Sequence, residues 1–122
     1  MDDFFTSEEK KELFSLYRHL MQSAGDSISW KDCQKLKNHL IKAAQYNGLQ
    51  RNNFGMNPVI KDLQTAVIVA EEIGMKGSCL IGIMLHEIVK THILSIDEVS
   101  VEYGEDVASI IKGLVKTNEL YA

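Results

Sequence analysis

Proline occurs once and cysteine twice in this chain of 122 residues, and neither belongs to a recognisable cluster. With so little proline, and few β-branched runs bounded by turn signals, the chain leans towards helix throughout. Cys33 and Cys79 stand far apart among apolar neighbours. They form no CxxC pair and no Cys/His group, which excludes a disulfide scaffold and a structural zinc site; both read as reduced core residues. Basic charge is also scarce: 13 Lys and Arg face 17 Asp and Glu, for a net charge of −4. Proteins that bind nucleic acid through its phosphates need the opposite balance, so nucleic acid is not an expected partner. Long apolar runs are missing too. The longest, Cys79 to Leu85, is far too short to cross a bilayer. The start, Met1-Asp2-Asp3, is acidic where a secretion signal would be basic. These absences together lead to the expectation of a cytoplasmic protein with no membrane contact.

What is present is helical periodicity. The length suits one domain with its own core, and about six helices can be read. Thr6 and Glu9 form a capping box ahead of Leu13, Leu16, Tyr17, Leu20 and Met21, and Gly25 ends that helix. Ser29 caps a second, with Cys33, Leu36, Leu40 and Ala44 on one face and Asn47-Gly48 as its stop. Four lysines on it, Lys31, Lys35, Lys37 and Lys42, read as one solvated basic stripe. A polar loop from Leu49 to Met56 follows, which in a compact domain suggests function. Asn57 then caps and Pro58 opens a third helix, with Ile60, Leu63, Val67 and Ala70 inward and Gly74 at its close. The fourth, around Cys79 to Val89, is apolar on all sides and is expected to be buried on all sides. Ser95 and Glu98 cap a short fifth helix ending at Gly104, and Val107, Ile110, Ile111 and Leu114 pack the sixth. No repeat or linker interrupts the series.

Within the fourth helix, His86-Glu87 is the feature that composition does not explain. A carboxylate in an apolar setting is costly unless it is paired, hydrogen-bonded or bound to metal. Adjacent helix positions point about 100° apart, so both side chains can reach one cavity beside a neighbouring helix. The plainer reading is an amphipathic helix with Glu87 and Lys90 facing water and His86 a satisfied core histidine. His19 and His39 fall on polar faces and are expected to be exposed, and His92 to close a helix C-terminus, where the dipole favours a protonated imidazole.

From Asn57 to Tyr121 the ordered series of motifs resembles the N-terminal hydrolase domain of RelA/SpoT proteins, which make and degrade the alarmone (p)ppGpp. That domain belongs to the HD superfamily of metal-dependent phosphohydrolases. The segment Leu80-Ile81-Gly82-Ile83-Met84-Leu85-His86-Glu87-Ile88-Val89-Lys90-Thr91 is similar to the family's A-A-L-L-H-D-x-V-E-D-T stretch. Ser95 to Val99 and Tyr103 to Val107 resemble its T-x-E-E-I…F-G-x-x-V segment, and Ile111 to Lys116 its V-x-G-V-T-K. Asn57-Pro58 falls where the family has His-Pro, after a loop bearing Arg51 and Gly55. The resemblance implies an HD-like all-helical bundle forming the N-terminal part of a larger domain, with synthetase and regulatory domains following in the same chain.

It also implies a damaged site. In active relatives a first histidine, the His-Asp doublet and a later aspartate hold a divalent ion, usually manganese. Here Asn57 stands for the first histidine, a poor substitute as a ligand, and Glu87 for the aspartate. Lys90 and Thr91 replace the acidic pair that positions water, and the lysine would repel a cation. Only His86 is kept, so no metal is expected and hydrolysis of the 3′-pyrophosphate ester loses its Lewis acid. The family also contacts the guanine nucleotide through a loop arginine, which makes Arg51 a candidate, though as an exposed loop arginine it needs no such role. Three functions follow: a catalytically inactive domain with a structural and regulatory role beside a GTP pyrophosphokinase; a working manganese-dependent (p)ppGpp hydrolase with Glu87 as an altered ligand; or a helical interaction module that docks through its basic second helix.

Overall fold

The computed structural model describes residues 4–46, 51, 55–75 and 77–121, the side chains of 117–121 excepted. Six α-helices account for nearly all of it: α1 (Ser7–Ala24), α2 (Trp30–Ala44), α3 (Pro58–Ile68), α4 (Ser78–Lys90), α5 (Ile96–Tyr103) and α6 (Glu105–Tyr121). The expected all-α bundle is what the chain forms. Among the described residues no helix is long and apolar enough to cross a membrane.

The starts are set by side-chain chemistry. Thr6 and Ser95 each take a backbone N–H three residues on, and Glu9 and Glu98 reach back to complete the reciprocal box. Such caps satisfy N–H groups that have no partner inside the helix, each contributing about 1 kcal/mol. Ser29 caps α2 alone, and Asn57 caps α3 with Pro58 behind it. The ends follow expectation at Gly25 and Gly104. The stop assigned to Asn47-Gly48, and most of the polar loop after it, lies outside the described residues; α2 closes at Ala44 with Gln45 as its cap. Beyond Ile68, α3 widens into one π turn, Val69–Ile73, before Gly74 turns left-handed. α4 ends in a double-bonded turn, with His92 N–H donating to Val89 O and Ile93 N–H to Ile88 O. His92 takes the left-handed position at φ 64°, which makes it the end residue expected, in a conformation glycine adopts at lower cost.

α4 is the axis of the packing. It lies against α3 and α6, while α1 covers α3 and α5 covers α6. Leu80, Ile81, Met84, Leu85, Ile88 and Val89 are buried along it. Cys79 and Ile83 remain partly exposed, so burial is not complete on every side. Cys33 and Cys79 are both free and only half-buried, each thiol lying against a methionine sulfur, Met21 and Met75 respectively. Gly82 lets α4 and α6 approach: a Cβ there would sit 2.6 Å from Ile110 Cγ2.

α2 is held by polar contacts at both flanks. The Tyr17 hydroxyl donates to Cys33 O at 2.7 Å from α1. Lys35 donates to Glu102 O at 2.7 Å, and His39 Nδ1 meets the Tyr103 hydroxyl at 2.6 Å, both on α5. His39 is therefore half-buried rather than exposed; burial against α5 lowers its basicity and raises that of the Tyr103 phenolate. The lysines of α2 do not make one stripe either: Lys35 turns to α5, and Lys37 to α1.

The two helical glycines of α4 and α6 give opposite expectations. Gly82→Ala forces β-branched Ile110 to move and is expected to destabilise by roughly 1–3 kcal/mol. A Cβ added at Gly113 would meet nothing within 4 Å, so Gly113→Ala should stabilise by about 0.5–1 kcal/mol through helix propensity. Urea unfolding of both variants checks this; a Gly82→Ala protein as stable as the parent would contradict the close approach.

Candidate functional site

His86 and Glu87 leave the buried run of α4 on its α3 side, and what meets them there is Asp62. Ile60, Leu63 and Ala66 turn the other face of α3 inward, which carries Asp62 to its border. Asp62 Oδ2 accepts from the Glu87 backbone N–H at 2.8 Å, and Asp62 Oδ1 stands 3.4 Å from His86 Nδ1. The side chains are nearly enclosed, with 15% of Asp62 and 12% of His86 exposed. One ligand-type atom from each of Asp62, His86 and Glu87 falls within 4.8 Å of the others.

Burial shapes the charge of this group. It pushes the Asp62 carboxyl above the usual range, opposed by the hydrogen bonds from His86 and from Glu87 N–H. It pushes the Glu87 carboxyl up as well, with Lys90 pulling down and Asp62 adding to the rise. Two carboxyls and an imidazole thus share a small, poorly solvated space, an arrangement common where catalysis or metal binding occurs and also in structural networks.

Asn57 takes the capping place that its position before Pro58 suggests, away from His86. Its Oδ1 accepts from Val59 and Ile60 N–H at 3.0 and 3.4 Å, so the side chain serves as the α3 cap. It is 3% exposed, and its Nδ2 has no hydrogen-bond partner among the described residues. The residue of α3 that faces His86 is Asp62, not Asn57. Three ligand-type groups therefore stand together where the sequence pointed to two, His86 and Glu87.

Lys90 is exposed in the last turn of α4, and the Thr91 hydroxyl donates to Glu87 O at 2.8 Å. Arg51 is engaged by its own chain. It forms a two-pronged pair with Glu9, Nη1 to Oε2 at 2.7 Å and Nη2 to Oε1 at 2.6 Å, and donates to Phe4 O and Gly55 O. Its guanidinium also covers the Phe4 ring at 4.8 Å. That pairing brings the Glu9 carboxyl down to about 2. Arg51 therefore ties its loop to the start of α1, and a nucleotide contact would require that tie to open. His19 is exposed as expected and meets Glu71 of the π turn.

Sequence reasoning did not single out Asp62. The usable signal was its spacing, 24 residues before His86, combined with an acid at the edge of an apolar stripe. No known protein family, curated protein or solved structure matches the chain in comparison.

Asp62→Ala should cost about 1–3 kcal/mol, because it removes an acceptor from the partly buried Glu87 N–H and a partner from His86. Asp62→Asn keeps an oxygen for the Glu87 N–H and should stay within about 1 kcal/mol of the parent at neutral pH. The pH dependence has a fixed sign. A carboxyl raised on folding opposes the folded state once ionised, a cost absent below the unfolded value and complete above the folded one. Asp62→Asn should therefore gain on the parent as the pH rises above 3.8, the ordinary value of the carboxyl. Urea melts from acidic to neutral pH measure it, and a gain of the parent over the variant would contradict the burial of Asp62.

Proposed function

We propose that this is a catalytically inactive HD-type domain of a RelA/SpoT alarmone protein, with a structural and regulatory role beside synthetase and regulatory domains. The observation that carries the reading is the fate of the positions that would activate water. Thr91 folds its hydroxyl onto the α4 backbone and Lys90 places a cation in the last turn, so neither supplies a base. Asp62 meanwhile closes upon Glu87 N–H and His86, which makes the remaining groups a clasp between α3 and α4. Arg51 is committed to Glu9 and Phe4, which removes the loop's candidate reader of a guanine base from its expected role. On this reading the domain's contribution to (p)ppGpp metabolism is made through its surfaces, in the cytoplasm, with no resident cofactor.

A second reading rests on Asp62. Two carboxylates and an imidazole within 4.8 Å are a donor set suited to a divalent ion such as manganese. Asp62, His86 and Glu87 would hold it, and the ion would supply Lewis acidity and a more acidic bound water. The chain provides no further acid at Lys90 or Thr91 to take the proton from that water.

The two readings separate in one assay. The protein is incubated with labelled ppGpp and manganese, and pyrophosphate release is followed against buffer alone. The inactive domain releases no more than the buffer does. Manganese-dependent release that disappears in His86→Ala would overturn the first reading in favour of the second.

A further inference from the structure

A groove of about 460 Å³ lies between α1 and α2, lined by Lys11, Phe14, Tyr17, Arg18 and Lys37. It shares no residue with the Asp62 cluster. Lys11, Phe14 and Arg18 follow the i, i+3, i+7 spacing, so they form one stripe of α1: a cation, a ring and a cation. Lys37 adds a third cation from α2. Tyr17 is 9% exposed and its hydroxyl is fixed on Cys33 O, so its ring is a rigid part of the floor. Phe14 is half-buried beside it.

The charge arrangement is the unusual part. The chain carries a net charge of −4, yet three cations line this groove and no carboxylate does. Two other basic side chains hold acids: Arg51 pairs with Glu9 and Lys35 with Glu102. Lys11, Arg18 and Lys37 make no hydrogen bond or ion pair with the described residues. Three like charges around a concave apolar floor repel one another, a cost that an anion seated there would relieve. The floor rings offer a face for a planar group, and arginine and lysine together offer the forked and point contacts that phosphates take. The volume is within the range of small-molecule sites.

From this geometry we propose that the α1–α2 groove binds a nucleoside polyphosphate, its base against Phe14 and Tyr17 and its phosphates among Lys11, Arg18 and Lys37. The inference stands apart from the hydrolase question, since it concerns binding on a separate surface.

ATP, GTP and inorganic tripolyphosphate serve as probes in two-dimensional amide NMR titrations of the protein. The nucleotides should shift the signals of Lys11, Phe14, Arg18 and Lys37, with affinity that falls as salt is added. Arg18→Ala/Lys37→Ala should weaken binding at least about tenfold. Phe14→Leu should weaken the nucleotides while leaving tripolyphosphate unchanged, which separates the base from the phosphates. All the substitutions are on or near the surface, and circular dichroism confirms that the helices persist. Absence of groove shifts at about 5 mM nucleotide, a range that still detects millimolar affinity, would overturn the proposal. So would undiminished binding in the double variant, or tripolyphosphate binding as tightly as ATP.

Discussion

A histidine at the edge of a helix packed into the core needs a partner, and in this protein Asp62 of α3 stands against His86. Its carboxylate reaches across from α3 to the Glu87 backbone and to His86. Take that acceptor away and the partly buried Glu87 N–H and the His86 imidazole both lose a contact to α3. The apolar residues around it, Leu63 and Ala66 on one helix and Leu85 and Ile88 on the other, supply most of the stabilisation. The clasp joins α3 to α4 at the edge of that apolar contact. Its cost is visible in the same place, because burial raises both carboxyls above their ordinary range.

Much of this was legible from residue types alone. The capping boxes at Thr6 and Ser95, the Asn57-Pro58 start and the glycine ends at Gly25 and Gly104 act through neighbours in sequence, so the sequence shows them directly. The buried character of α4 follows from its composition. What could not be read was the contact between helices. Asp62 looked like one more acid near the edge of a helix, because its meaning comes from a partner 24 residues away. His39 falls on a polar face of α2 and becomes half-buried only because α5 covers it with Tyr103. Lys35 and Lys37 are near neighbours in sequence, and the packing sends them to different helices.

Asn57 shows the local side of the same point. A position defined by its neighbour Pro58 invited comparison with a metal-binding histidine, but the local chemistry of asparagine before proline is that of a helix cap, and the structure uses it so. An all-helical bundle hosts many functions, so function has to be argued from the site. Here three groups of ligand type lie together, beside an exposed Lys90 and a Thr91 whose hydroxyl is turned onto the α4 backbone.

The central claim is that Asp62, His86 and Glu87 form a structural clasp and not a metal centre, and thermal unfolding with manganese tests it most directly. A ligand bound only by the folded state raises its stability by about 2.7 kcal/mol at a hundredfold excess over the dissociation constant. The protein is melted with and without about 1 mM manganese, beside Asp62→Asn. The clasp predicts no saturable rise in melting temperature in the parent. A saturable rise of several degrees in the parent that Asp62→Asn abolishes would contradict it and make the three residues ligands.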